Sequence, residues 1–201
     1  EAYDNAGSVS QQQYRLLIQH VNHVPEVLSL PPFKAKEDSL YEYRVFAQDP
    51  DTLIGDSLSY SLSKKPSWLS VNPTTGLISG IPRWVNVGDT VVVVKVSDGK
   101  GGIATQNYPL SVSHTNHAPL FTILPDTTAI EDSVYTSRAY ASDQDSSLFS
   151  DVVQYRLPQK PSWVSIDSTT GLLFGIPRIN NLPDTIVAVE AYDNVGGTTR
   201  K

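Results

Sequence analysis

Two pairs of aspartates, Asp49 with Asp51 and Asp143 with Asp145, are spaced as D-x-D just after stretches that read as strands. Carboxylates at that spacing on a loop offer several hard oxygen atoms to one cation, and calcium takes about six to eight such ligands. Asp98 and Asp193 lie in later turns, and Asp4 occupies a third copy of the same turn. If the strands form a sandwich, these loops share one end of a domain. Asn22 and Asn116, at the entries to the two repeated stretches, are expected near the same end. The candidate ligands are therefore Asn116, Asp143, Asp145 and Asp193 with Glu37, and the equivalent set Asn22, Asp49, Asp51 and Asp98. A second reading stays open: aspartates in S-D-G and Y-D-N contexts also serve simply as hydrogen-bond acceptors within tight turns.

Other chemistries find less support. The histidines His20, His23, His114 and His117 form two equivalent pairs at linkers and are expected to be solvated. The chain has no cysteine, which excludes a thiolate nucleophile, a cysteine metal site and a disulfide framework. The carboxylate pairs recur from copy to copy, whereas a glycosidase needs one cleft with one acid and one base. Neither a nucleophile elbow nor a phosphate loop is present. The expectation is a protein that is not an enzyme. A net charge of −6 without a Lys/Arg cluster argues against nucleic acid as a partner. No apolar run approaches the roughly 20 residues of a spanning helix.

The elements that hold these aspartates are written twice. "TTGLISGIPR" at 74–83 returns as "TTGLLFGIPR" at 169–178, and "KKPSWLSV" at 64–71 as "QKPSWVSI" at 159–166. "NHVP", "EDSLY" and "AQDPD" return as "NHAP", "EDSVY" and "ASDQD". The offset is 94 before the loop near Gly55 and 95 after it, as for a one-residue insertion in a loop. "EAYDNAG" opens the chain, "KVSDGKG" follows at 95–101, and "EAYDNVG" at 190–196 nearly closes it. Residues 1–21 thus read as the end of a preceding repeat, 22–115 as a complete repeat, and 116–201 as a second one lacking its last strand. Lys201 aligns with Gln106, and residues 13–21 match the strand 107–115 that the second repeat needs. Either this arm completes the open repeat of another copy, head to tail, or the segment is a window cut from a longer chain. With no methionine in the sequence, a processed or excised segment is expected.

Strand signals fill each repeat. Residues 40–47, 90–96 and 185–192 are rich in aromatic or β-branched types. Val92, Val94 and Val96 align with Val187, Val189 and Ala191 at a period of two; Tyr108, Leu110 and Val112 alternate likewise, as do Tyr14, Leu16 and Ile18. Trp68 and Trp163 are expected as core anchors, and Gly76 and Gly171 as turn residues with positive φ. With no amphipathic helix and frequent turns, the fold class is all-β: tandem antiparallel β-sandwiches.

The string "PSWLSVNPTTGLISGIP", with "VKVSDGKGG" after it, resembles the dystroglycan-type cadherin-like and immunoglobulin-like (He_PIG) repeats of bacterial surface proteins. The resemblance spans both repeats. It implies cadherin-like or immunoglobulin-like sandwiches at the cell surface or outside the cell, serving as a stalk, fibre or adhesin. By similarity to a cadherin junction, Glu37 would face the second repeat's aspartates across a calcium ion. The acidic D-R-E motif of cadherins is missing, with "GIPR" in that region, so at most about one ion per junction is expected. The partners implied are other copies or adjacent repeats. A carbohydrate-binding or calcium-dependent adhesive module is the alternative; it would need an exposed aromatic platform on surface glycan, for which Trp84 and Tyr41 are the candidates.

Overall fold

The computed structural model describes residues 1–183 and 185–201, apart from the side chains of Tyr3 and Leu148. The chain divides into two compact units. The first comprises Glu1–Ala35, Ser39–Pro82 and Gly88–Val112; the second comprises Lys36–Asp38, Arg83–Val87 and Ser113–Lys201. Glu37 therefore falls with the second unit.

In the first unit, one sheet runs in the order Lys34–Lys36, Ile103–Ser113, Gly88–Ser97, Ser59–Lys64. Another runs Tyr41–Arg44, Leu77–Gly80, Ser70–Val71. The expected strand 40–47 breaks in two. Val45 N–H donates to the Gly76 carbonyl, and Ala47–Gln48 then pairs with Glu26–Val27. The period-two pattern behaves as written: Val92, Val94, Val96, Tyr108, Leu110 and Val112 are all buried. Tyr43 and Tyr108 meet edge to face at 6.0 Å, linking the layers. Each such aliphatic side chain contributes roughly 1.5–3 kcal/mol on burial. Residues 11–21 form no strand and are exposed throughout.

The second unit repeats the plan. Tyr135–Arg138, Leu172–Gly175 and Val164–Ile166 form one sheet, and Gln154–Gln159, Ala188–Tyr192 and Thr198–Arg200 another. Ala139, Ala141, Tyr155, Val164, Leu173, Val189 and Ala191 pack as its core. Here the expected strand 185–192 begins only at Ala188. In the first unit, Ile103–Ser113 pairs with the whole of Gly88–Ser97; in the second, Thr198–Arg200 pairs with Glu190–Tyr192, and Lys201 exchanges backbone hydrogen bonds with Val189.

The repeated phrases are corners with local causes. Asn72 Oδ1 accepts from the N–H groups of Thr74 and Thr75, and Asp167 Oδ1 from those of Thr169 and Thr170. Gly76 and Gly171 follow at φ 68° and 66°, a left-handed conformation that disfavours a Cβ. Lys65 Nζ and Lys160 Nζ cap the carbonyls of Leu69 and Val164, both at 2.6 Å. Trp68 and Trp163 occupy matching surroundings, edge-on to Tyr41 and Tyr135 at 6.0 and 5.8 Å. Both are half-buried at the rim of the core rather than enclosed by it.

Candidate metal centre

In the second unit, the turn after Tyr140–Ser142 is organised by Asp143, whose Oδ1 accepts from the Asp145 N–H at 2.7 Å. The chain then makes one helical turn, Ser146–Phe149, and arrives at Asp151. A second turn is organised by Asp193, whose Oδ1 accepts from the N–H groups of Val195, Gly196 and Gly197 at 2.8, 2.6 and 2.8 Å. Its other oxygen accepts from Asn116 Nδ2 at 3.0 Å. A Cβ at Gly197 would press on that carboxylate, so the glycine leaves the room it occupies.

The turn-acceptor reading and the ligand reading of these aspartates are thus compatible. Turn N–H groups take one oxygen and leave another. Asp143 Oδ2, both oxygens of Asp151, and Asn116 Oδ1 are buried and accept no hydrogen bond from the described residues. Ligand atoms of Asp143, Asp145 and Asp151 lie within 4.8 Å of one another, and all three residues are buried. Burial first, then the charge of neighbouring carboxylates, raises the pKa of Asp143 and of Asp151. Asp193 goes the other way: although burial opposes it, the Asn116 amide and the turn N–H groups hold it below the ordinary value. Buried like charges with free lone pairs are costly unless a cation or proton joins them. An all-oxygen donor set of this kind fits calcium.

Glu37 is beside this cluster. Its Oε2 lies 2.7 Å from His114 Nδ1 and accepts from the Thr115 N–H, while His114 Nε2 is 3.6 Å from Asp145. His114 also stacks on Phe149 at 3.7 Å. His117 donates its N–H to Asp145 at 2.6 Å, and its ring nitrogens contact Asp145 and Asp38. The expectation that these histidines are merely solvated is corrected, because the carboxylates they cap come from distant parts of the sequence. Asp38 first, then Asp145, raises the His117 pKa. A histidine with a raised folded pKa stabilises the fold fully below its unfolded value, and that contribution is lost as pH rises through the folded value. In chelator, the second unit's melting temperature should fall as pH rises through and above the ordinary histidine value. His117→Gln should flatten that slope in a thermal melt series.

The first unit carries the same arrangement. Asp49, Asp51 and Asp56 gather within 4.8 Å, and Asn22 Nδ2 donates to Asp98 at 2.9 Å. Asp49 Oδ2 and Asp56 Oδ2 are buried without a hydrogen-bond partner among the described residues. His23 donates its N–H to Asp51 at 2.6 Å, and His20 lies 3.5 Å from the same carboxylate. That backbone bond from His23 is the main reason the Asp51 pKa is lowered.

Asp56 and Asp151 were not among the sequence candidates. They are equivalent at the offset of 95, but follow their D-x-D pairs by five and six residues. The one-residue insertion lies between, which hid the match. The aromatic platform fares differently. Tyr41 is 5% exposed, with its hydroxyl donating to the Pro32 carbonyl, so it cannot present a face to a sugar. Trp84 is 36% exposed.

Stacked sheets with metal-binding potential in the end loops define an immunoglobulin-like, cadherin-like β-sandwich protein. Residues 24–113 match the family described as "Putative Ig domain" (He_PIG). Among solved structures, mouse cadherin-23 EC22-24 is similar at 18% identity and TM-score 0.51, covering 90% of this chain and 64% of that one. The chain thus spans less than two thirds of that cadherin fragment. PcdhgB3 EC1-4 is similar at 16% identity and TM-score 0.50, covering 89% and 48%. An endo-fucoidan hydrolase from glycoside hydrolase family 107 aligns at 20% identity over 88% of this chain and 28% of that one, with a TM-score of 0.39. No curated protein matches the sequence.

Proposed function

We propose that this chain is a non-enzymatic structural segment of an extracellular stalk, fibre or adhesin, whose sandwiches are stiffened by calcium held in the end loops. The observation that carries the reading is the set of buried, unpartnered carboxylate and amide oxygens at Asp143, Asp151 and Asn116, repeated at Asp49 and Asp56. In the second unit, Asn116, Asp143, Asp145, Asp151 and Asp193 would hold the ion, with Glu37 at its edge. In the first, Asn22, Asp49, Asp51, Asp56 and Asp98 would do so. Bound calcium supplies charge that satisfies the carboxylates and ties loops from three parts of each sandwich together. Immunoglobulin-like and cadherin-like domains are usually extracellular. Among the described residues, no helix is long and apolar enough to cross a membrane.

A native-state ligand raises stability by mass action, about 2.7 kcal/mol at a hundred times its dissociation constant. For units of this size that corresponds to a rise of about 10 °C or more in melting temperature. Calorimetry in calcium against chelator tests it. Identical melting curves would remove calcium from the reading. A surface-glycan module is the second reading, favoured only by the exposure of Trp84. Glycan-array binding abolished by Trp84→Ala would move it to first place.

A further inference from the structure

Two histidines border the carboxylate cluster of the second unit, and they differ at one atom. Both ring nitrogens of His117 face carboxylates, Nδ1 toward Asp145 at 3.2 Å and Nε2 toward Asp38 at 2.8 Å. His114 has Nδ1 engaged in this way, 2.7 Å from Glu37 Oε2. Its Nε2 is buried without a hydrogen-bond partner among the described residues, 3.6 Å from Asp145 Oδ2.

An ionised carboxylate only accepts, so Nδ1 carries the proton and donates it to Glu37. In that tautomer Nε2 turns its lone pair toward the Asp145 carboxylate. Two buried acceptors that face each other are unfavourable unless a cation lies between them. The separation suits one. Zinc binds imidazole nitrogen and carboxylate oxygen at about 2.0–2.1 Å, so two such ligands at a tetrahedral angle stand about 3.4 Å apart. The ring is also held in place: Phe149 stacks on it at 3.7 Å with the planes 19° apart. A carboxylate on the other ring nitrogen is the outer-shell arrangement that orients a metal-bound histidine. Asp151 brings further oxygens. Both are buried without a hydrogen-bond partner among the described residues, a ligand atom of Asp151 lies within 4.8 Å of those of Asp143 and Asp145, and the charge of His114 reaches it.

We infer that the second unit offers a mixed nitrogen–oxygen site to a zinc-class ion, with His114 Nε2, Asp145 and Asp151 as ligands and Glu37 orienting the imidazole. Water completes the coordination. Imidazole is a ligand for zinc and its transition-metal neighbours, whereas calcium takes oxygen. His114 thus extends the cluster to a second class of cation. The inference rests on the carboxylate cluster of the calcium reading and not on calcium being bound there.

Zinc chloride added to the intact, metal-stripped chain tests it. Zinc at a hundredfold excess over its dissociation constant should raise the second unit's melting temperature by about 10 °C. His114→Gln should weaken zinc binding in titration calorimetry by about 100-fold or more, since losing an outer-shell partner alone costs about 10- to 100-fold. Circular dichroism verifies that the variant is folded. In the first unit the equivalent of His114 is His20, whose side chain is 49% exposed, and His20→Gln should leave the second unit's zinc shift as in the parent. Calcium melts of parent and His114→Gln separate the two readings. A zinc shift that depends on His114, without any calcium shift, supports this site and removes calcium alone. A calcium shift in both proteins, with zinc binding indifferent to His114→Gln, would overturn this site and leave the calcium reading standing. No zinc uptake by the parent would overturn it equally.

Discussion

Gly175→Ala is expected to lower the melting temperature of the second unit by roughly 4–24 °C, and Gly80→Ala to do the same to the first. Neither glycine has a positive φ, so backbone freedom is not the reason. Each closes a strand of the inner corner, and a Cβ there would lie under 3.0 Å from the carbonyl oxygen of Trp163 or Trp68. That carbonyl belongs to backbone within the corner and not to a side chain that can swing away. Relief requires the strand Leu172–Gly175 or Leu77–Gly80 to move off its neighbour, or the indole to leave its contact with Tyr135 or Tyr41. Overpacking of this kind costs about 1–3 kcal/mol, a large part of the stability of a small domain. Calorimetry of the two single variants checks it. A shift in only one unit's transition per variant is expected, and melting unchanged from the parent would refute the steric account.

The second large effect is an inversion of sign at Asp151. Both of its oxygens are buried without a hydrogen-bond partner among the described residues, and burial plus the charges of Asp193, Asp143 and Asp145 raises its pKa. A carboxyl whose folded pKa lies above its unfolded value favours the fold only while protonated. Its contribution is complete below the ordinary value of 3.8 and is lost as pH rises through the folded value. At neutral pH in chelator, Asp151→Asn should therefore raise the stability of the second unit. In saturating calcium the same change should lower it, because the variant forgoes most of the about 2.7 kcal/mol that a ligand at a hundredfold excess supplies. The first unit, with Asp56 in the equivalent place, serves as the internal control. Melting curves of parent and variant in both buffers decide the matter. A loss of stability in both would make Asp151 an ordinary structural acceptor.

The difference between Asp193 and Asp151 shows why the sequence reading identified one and missed the other. Asp193 sits in "YDN", a turn-forming context, and its Oδ1 takes three N–H groups from the next four residues. Local chemistry of that sort is legible from neighbours. Asp151 makes no local bond that would mark it, and its place in the cluster is set by Asp143, Asp145 and Asp193 folding around it. The histidines follow the same rule. His114 bonds to Glu37 across 77 positions and His117 to Asp145 across 28, separations that no spacing pattern encodes.

By itself the sequence determined the repeat, the alternation that buries Val92, Val94 and Val96, the left-handed corners at Gly76 and Gly171, and the D-x-D loops. These depend on neighbours within a few residues, or on one copy compared with another. Only the tertiary structure decided which carboxylate oxygens remain without a donor and that Tyr41 is enclosed. Those properties belong to spaces between strands far apart in the chain. A lone pair is free, or a face is covered, only in relation to what the fold brings against it.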